Sequence, residues 1–181
     1  MKNRALSVIS LVSFVVLISF FLNACTGAPD KVTAVKDFNV DRYLGSWYEI
    51  ARLDHSFEKG LSQVSADYSL QADGGIKVIN RGYSAANKNW KEAVGKAYFV
   101  SDKNKGHLKV SFFGPFYSSY IIFNLDQQHY QYAFISGYNT DYLWLLSRTP
   151  TVSKELIDKF TREAQQRGFD TSRLIIDNHA S

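Results

Sequence analysis

The chain is poor in the residues that most reactive sites are built from. Cys25 is the only cysteine in 181 residues, which rules out an internal disulfide, a cysteine-rich metal centre and a thiol nucleophile in the body of the chain. Four histidines, His55, His107, His129 and His179, fall far apart in loops or tails without metal-ligand spacing, and each reads as solvated. No Gly-x-Ser-x-Gly elbow occurs. These gaps argue against an enzyme and against any cofactor or metal. Charge of one sign is also lacking: the formal charge is +4, of which Lys2 and Arg4 carry two, and the other basic residues are scattered. That pattern excludes a nucleic-acid footprint. Internal repeats and low-complexity segments are absent too.

Long apolar runs are limited to one. Leu11 to Leu22, interrupted by Ser13 and Ser19 and preceded by Lys2 and Arg4, is too short for a comfortable membrane span and reads as a secretion signal over residues 1–24. The run ends in Leu22-Asn23-Ala24-Cys25, the pattern of a bacterial lipobox, so the mature chain is expected to start at an acylated Cys25 carrying S-diacylglycerol and an N-acyl chain. More than one chain is needed for durable anchoring, at about 0.8 kcal/mol per buried CH₂. Thr26 stands where an aspartate would retain a lipoprotein at the inner membrane, which favours the outer membrane. Residues 25–36, with Gly27 and Pro29, read as an acylated tether.

What the chain has in quantity is aromatic: 13 Phe, 11 Tyr and 3 Trp. Many lie in segments that alternate with period two, as Val64, Ala66, Tyr68 and Leu70 do against Ser65, Asp67 and Ser69. Eight strands are predicted, near 46–53, 62–71, 75–83, 89–100, 107–113, 118–126, 130–137 and 141–148. Half-buried strands joined in sequence suit an all-β, up-and-down antiparallel barrel spanning residues 37–181. Tight polar turns at Asp73-Gly74-Gly75, 102–106 and 126–129 would close one end, while the longer loop from Leu53 to Leu61 and three others would surround an open mouth. Asp41 is placed to cap a helical turn before Gly45. Ser153 caps a predicted helix over about 153–167 with Leu156, Ile157, Phe160 and Ala164 as its apolar stripe, and Arg173 to Ile176 reads as a last outer strand.

Phase on the strands points Val64, Ala66, Tyr68, Ile76, Val78, Val110, Phe112, Tyr120, Ile122, Tyr142, Trp144 and Leu146 inward, with the small Ala93, Gly95, Ala97 and Ala133 leaving volume between them. Glu49 shares the phase of Trp47 and so reads as a buried carboxylate, with Asn80 or a tyrosine hydroxyl as partner and a ligand head as its functional target. A filled barrel and a hollow one are both compatible with this pattern.

Gly45-x-Trp47-Tyr48, Arg148 at the end of the last strand, the following helix, and Val110 to Tyr117 together resemble the lipocalin family, in particular its bacterial outer-membrane branch close to apolipoprotein D. The family's second signature, Thr-Asp-Tyr, keeps only Asp126; the literal Thr140-Asp141-Tyr142 lies one hairpin later and reads as coincidence. The resemblance implies that Trp47 and Arg148 seal the barrel floor. It also implies a cavity for a lipid, either a fatty acid or a lysophospholipid, stored or moved for membrane maintenance under stress. The cavity-lining set would be Val64, Ala66, Tyr68, Val78, Val110, Phe112, Tyr120, Ile122, Tyr142 and Trp144. The rival readings are a structural envelope lipoprotein with a filled barrel and a lipid-modifying enzyme. The open-end aromatics Phe113 to Tyr117 suit membrane contact or a homodimer.

Overall fold

A computed structural model describes residues 26–177 and residue 179; the secretion signal and Cys25 lie outside the described residues. The strands are β1 (Gly45–Leu53), β2 (Leu61–Leu70), β3 (Ile76–Ser84), β4 (Asn89–Phe99), β5 (His107–Phe113), β6 (Phe116–Leu125), β7 (Tyr132–Ser136), β8 (Leu143–Ser147) and β9 (Leu174–Ile176). Each of the first eight pairs antiparallel with its neighbours in sequence, and β1 pairs with both β2 and β8, so the sheet closes into the eight-stranded barrel that alternation predicts. β9 adds to the outside of β1 through Ala51, Arg52 and Leu53.

Two apolar cores result, one on each face of the wall. Inside, Trp47, Ala66, Tyr68, Ile76, Val78, Leu108, Ile122, Ala133, Ile135 and Leu146 pack together. Outside, Ile50, Ala51, Leu53, Phe123, Phe134 and Leu145 meet helix α2 (Lys154–Gln166) through the fully buried Phe160 and Ala164. Ser153 accepts from Leu156 N as an N-cap, and Gly168, at φ +88°, takes the left-handed turn that ends the segment, a conformation glycine adopts without a Cβ penalty.

The short helix α1 (Val40–Tyr43) is capped by Asn39, whose side chain accepts from Arg42 N, rather than by Asp41, which sits in the first turn. Both residue types cap well, and two positions separate them. Residues 26–36 do not stand free as a tether. Val32 is buried, Val35 N donates to Ile122 O, Gly106 N donates to Val35 O and Ser119 Oγ donates to Gly27 O, so this segment is a strap along the barrel wall.

Candidate functional site

The floor is a packed plug. Arg148 lays its guanidinium 3.9 Å from the centre of the Trp47 ring and donates to Ser46 O, Arg42 O, Leu44 O and Tyr130 O. Trp47 Nε1 donates to Tyr43 O at 2.8 Å. One side chain thus donates to four backbone carbonyls at the end of the barrel, a task for which the fixed fork of arginine is suited. Asp126, the remnant of the family's second signature, holds the adjacent turn by accepting from His129 N and Gln131 N.

Just above the floor three phenols meet. Tyr120 hydroxyl lies 2.7 Å from that of Tyr43 and 3.0 Å from that of Tyr68. Burial pushes all three hydroxyls up, that of Tyr43 well above the ordinary range, so they remain protonated. Above this layer the packing opens. Ala93 pairs across the sheet with Asn80, and Ala97 with Val110, so these residues share the interior face. Ala93 is nevertheless exposed, and Gly95, Val110, Phe112, Tyr120 and Trp144 are only half buried. Residues that point inward and still meet solvent line a hollow. Gly95 has a packing reason: a Cβ there would meet the Phe112 ring at 2.8 Å.

Of the residues predicted to face inward, Ala66, Tyr68, Val78 and Ile122 are buried in the inner core, Val64 is buried higher on β2, and Val110, Phe112, Tyr120 and Trp144 pack against that core while only half buried. Tyr142 stands at the mouth, its ring 5.5 Å from His55 and 6.2 Å from Trp144.

The expected partner of Glu49 is corrected. Asn80 does not reach it: Asn80 Oδ1 is buried without a hydrogen bond. Glu49 instead pairs with Arg52, Nη1 to Oε1 at 2.6 Å, both side chains almost fully buried. A β-bulge brings this about. Glu49 pairs with Leu146 but Ala51 pairs with Leu145, so Ile50 is an extra residue that reverses the phase and turns Arg52 into the barrel beside Trp144.

The reading of His55 as solvated is overturned as well. The loop between β1 and β2 folds inward, burying His55 and Glu58. Glu58 Oε2 accepts from Trp144 Nε1 at 3.1 Å, lies 3.1 Å from His55 Nε2 but off the line of a good hydrogen bond, and is 4.0 Å from Arg52 Nε. His179 is drawn in too, its Nε2 2.6 Å from Glu49 O, and His107 is half buried; His129 is exposed as expected.

Burial, reinforced by the Glu58 carboxylate, raises the Glu49 carboxyl well above the usual range despite Arg52. Burial acts on Glu58 in the same direction, but the facing His55 imidazole, together with Glu49 and the Trp144 indole N–H, outweighs it and holds that carboxyl below its ordinary value. The two buried carboxyls are thus pushed in opposite directions, Glu49 toward its protonated form and Glu58 toward its ionised form beside Arg52. Among the described residues no group of His, Cys, Asp or Glu is arranged to hold a metal ion.

Around the mouth Phe57, Phe113 and Phe116 are largely exposed.

Comparison with known proteins places this geometry. Residues 38–179 match the lipocalin-like domain. The chain is 61% identical over 162 residues to the outer membrane lipoprotein Blc of Vibrio cholerae, covering 90% of this chain and 95% of that one. It is 48% identical to Blc of Escherichia coli K12 over 159 residues, 87% of this chain and 89% of the relative. Apolipoprotein D of Mus musculus is 30% identical over 171 residues, 90% and 86% of the two chains. Among solved structures, insecticyanin from the tobacco hornworm Manduca sexta superposes with a TM-score of 0.68 at 21% identity, covering 85% and 87%, a likeness of fold.

Proposed function

The chain belongs to the lipocalin family, and from that premise we propose that it carries a single-chain lipid, a fatty acid or a lysophospholipid, in its barrel. The family is one of binding proteins and not of enzymes, and its bacterial members related to this chain are outer membrane lipoproteins, which is the location of this protein. The anchor is an acylated Cys25, with the barrel on the periplasmic side and the lipid cargo serving envelope maintenance under stress.

The observation that carries this reading is the inward-facing yet solvent-reached set Ala93, Gly95, Val110, Phe112 and Trp144. A filled barrel, as a purely structural lipoprotein would have, buries its apolar inward residues; here Ala93, Gly95, Val110, Phe112 and Trp144 stay partly open to solvent. An apolar hollow above a sealed floor accepts an acyl chain end-on, and burying that chain supplies affinity at roughly 25 cal/mol per Å² of apolar surface. Native mass spectrometry of delipidated protein re-exposed to mixed lysophospholipids and fatty acids should show a one-to-one adduct; its absence overturns the carrier reading.

A second reading concerns assembly. The exposed Phe57, Phe113 and Phe116 form an apolar rim that favours a homodimer. Sedimentation equilibrium should return a dimer mass that Phe113→Ser with Phe116→Ser reduces to a monomer; an unchanged mass excludes this surface.

A further inference from the structure

The loop over the mouth holds a carboxylate where a lipid head would be expected. Glu58 Oε2 is the point on which three donors on three segments converge: Trp144 Nε1 from β8, His55 Nε2 from the loop, and Arg52 Nε from β1. Arg52 is committed elsewhere through Nη1 to Glu49 and through Nη2 to Leu61 O and, at 3.4 Å, to Glu58 O, but its buried Nε has no acceptor. Neither ring nitrogen of His55 has a well-formed hydrogen bond. A buried guanidinium N–H and a buried imidazole left without acceptors are costly unless a better-placed acceptor takes them. Trp144 lines the hollow itself, so the convergence point sits on the wall between the apolar interior and the mouth.

We propose that this is the subsite for the anionic head of the bound lipid, and that Glu58 occupies it as an internal stand-in when the barrel is empty. The proposal rests on the carrier reading above. A ligand entering tail first brings its carboxylate or phosphate oxygens to the level of Trp144; they displace the Glu58 carboxylate, take the indole N–H, the imidazole and the unused Arg52 Nε–H, and the loop swings out. The site selects charge, because a neutral head brings no anionic oxygen to the Trp144, His55 and Arg52 Nε donors that the displaced Glu58 leaves behind.

The test compares oleate, 1-oleoyl-lysophosphatidate and mono-olein, which share one chain and differ in head, on the full mature chain with Glu58→Gln and Glu58→Ala. Removing the competitor should raise the ratio of anionic to neutral affinity about tenfold. A rise for oleate alone or lysophosphatidate alone identifies carboxylate or phosphate as the head. A ratio unchanged within about twofold, with all three lipids still bound, overturns the proposal. Failure of the wild type to bind any of them overturns the carrier reading instead. Should neither variant fold, the indole N–H resonance of Trp144 in the wild type decides: it should shift on adding oleate or lysophosphatidate and not mono-olein, and an equal response to all three overturns the subsite.

Discussion

Arg52 and Glu49 show how one residue's direction changes the chemistry of the interior. The buried Arg52 guanidinium depends on the two carboxyls beside it, and removing either leaves its charge less compensated. Glu49 holds its proton to higher pH in the folded chain than in the unfolded one. The folded state therefore binds more protons as pH rises from the unfolded carboxyl value, and stability falls across that window up to the raised value. Glu49→Gln, which keeps the shape and removes the titration, should flatten this decline: between pH 5 and 8 the melting temperature of the variant should fall less than that of the wild type in a thermal titration. At the floor, Arg148→Ala forfeits four carbonyl acceptors and the contact with Trp47. It should cost roughly 2 to 4 kcal/mol in urea unfolding, with Arg148→Lys recovering only part, because an ammonium cannot reproduce the planar fork.

Among the elements, β1 departs furthest from its pattern. Read as Trp47, Glu49, Ala51 and Leu53 on one face, it is a regular strand; the bulge at Ile50 hands Ala51 and Leu53 to the outer core and Arg52 to the inner one. The inward placement of Trp47 and Glu49 was legible because alternation holds up to the bulge. Arg52 and Glu58 were missed, since a bulge leaves no composition signal and a loop carboxylate looks solvated. One hint was present: Ile50, apolar in an outward phase, implies a cover on the outside of β1, which α2 and its neighbours supply. That helix was readable from Ser153 and its apolar stripe. Phe160 is fully buried between α2 and Phe134, their rings 5.0 Å apart and near perpendicular. Phe160→Ala should destabilise the chain by about 3 to 5 kcal/mol in chemical denaturation while sparing the interior face.

At the scale of the whole molecule, a sealed lower barrel and an open upper one divide stability from binding. Ala66 pairs with Trp47 in the packed floor, so a larger residue there would overpack the core. Ala93 faces the hollow and has room. Ala93→Trp should keep the wild-type melting temperature and weaken fatty-acid binding about tenfold by fluorescence titration. If Cys25 carries the proposed acyl anchor, Cys25→Ala should move the protein from the membrane to the soluble fraction while leaving its affinity for lipid unchanged; continued membrane association of the variant overturns the anchor.

The sequence by itself determined the closed barrel, its outer helix and most of the inner face, because period-two alternation, turn residues and caps are local signals that each short segment carries; the floor of Trp47 and Arg148 came from the family pattern the residues resemble. Only the tertiary structure decided that Arg52 turns inward, that His55 and Glu58 are buried, that residues 26–36 lie against the wall, and that the upper interior is hollow. Those outcomes depend on a one-residue shift in pairing, on a loop folding over a mouth that other strands create, and on how far side chains from opposite walls reach toward each other. No window of the chain contains these quantities, because each is a relation between segments that meet only when the barrel closes.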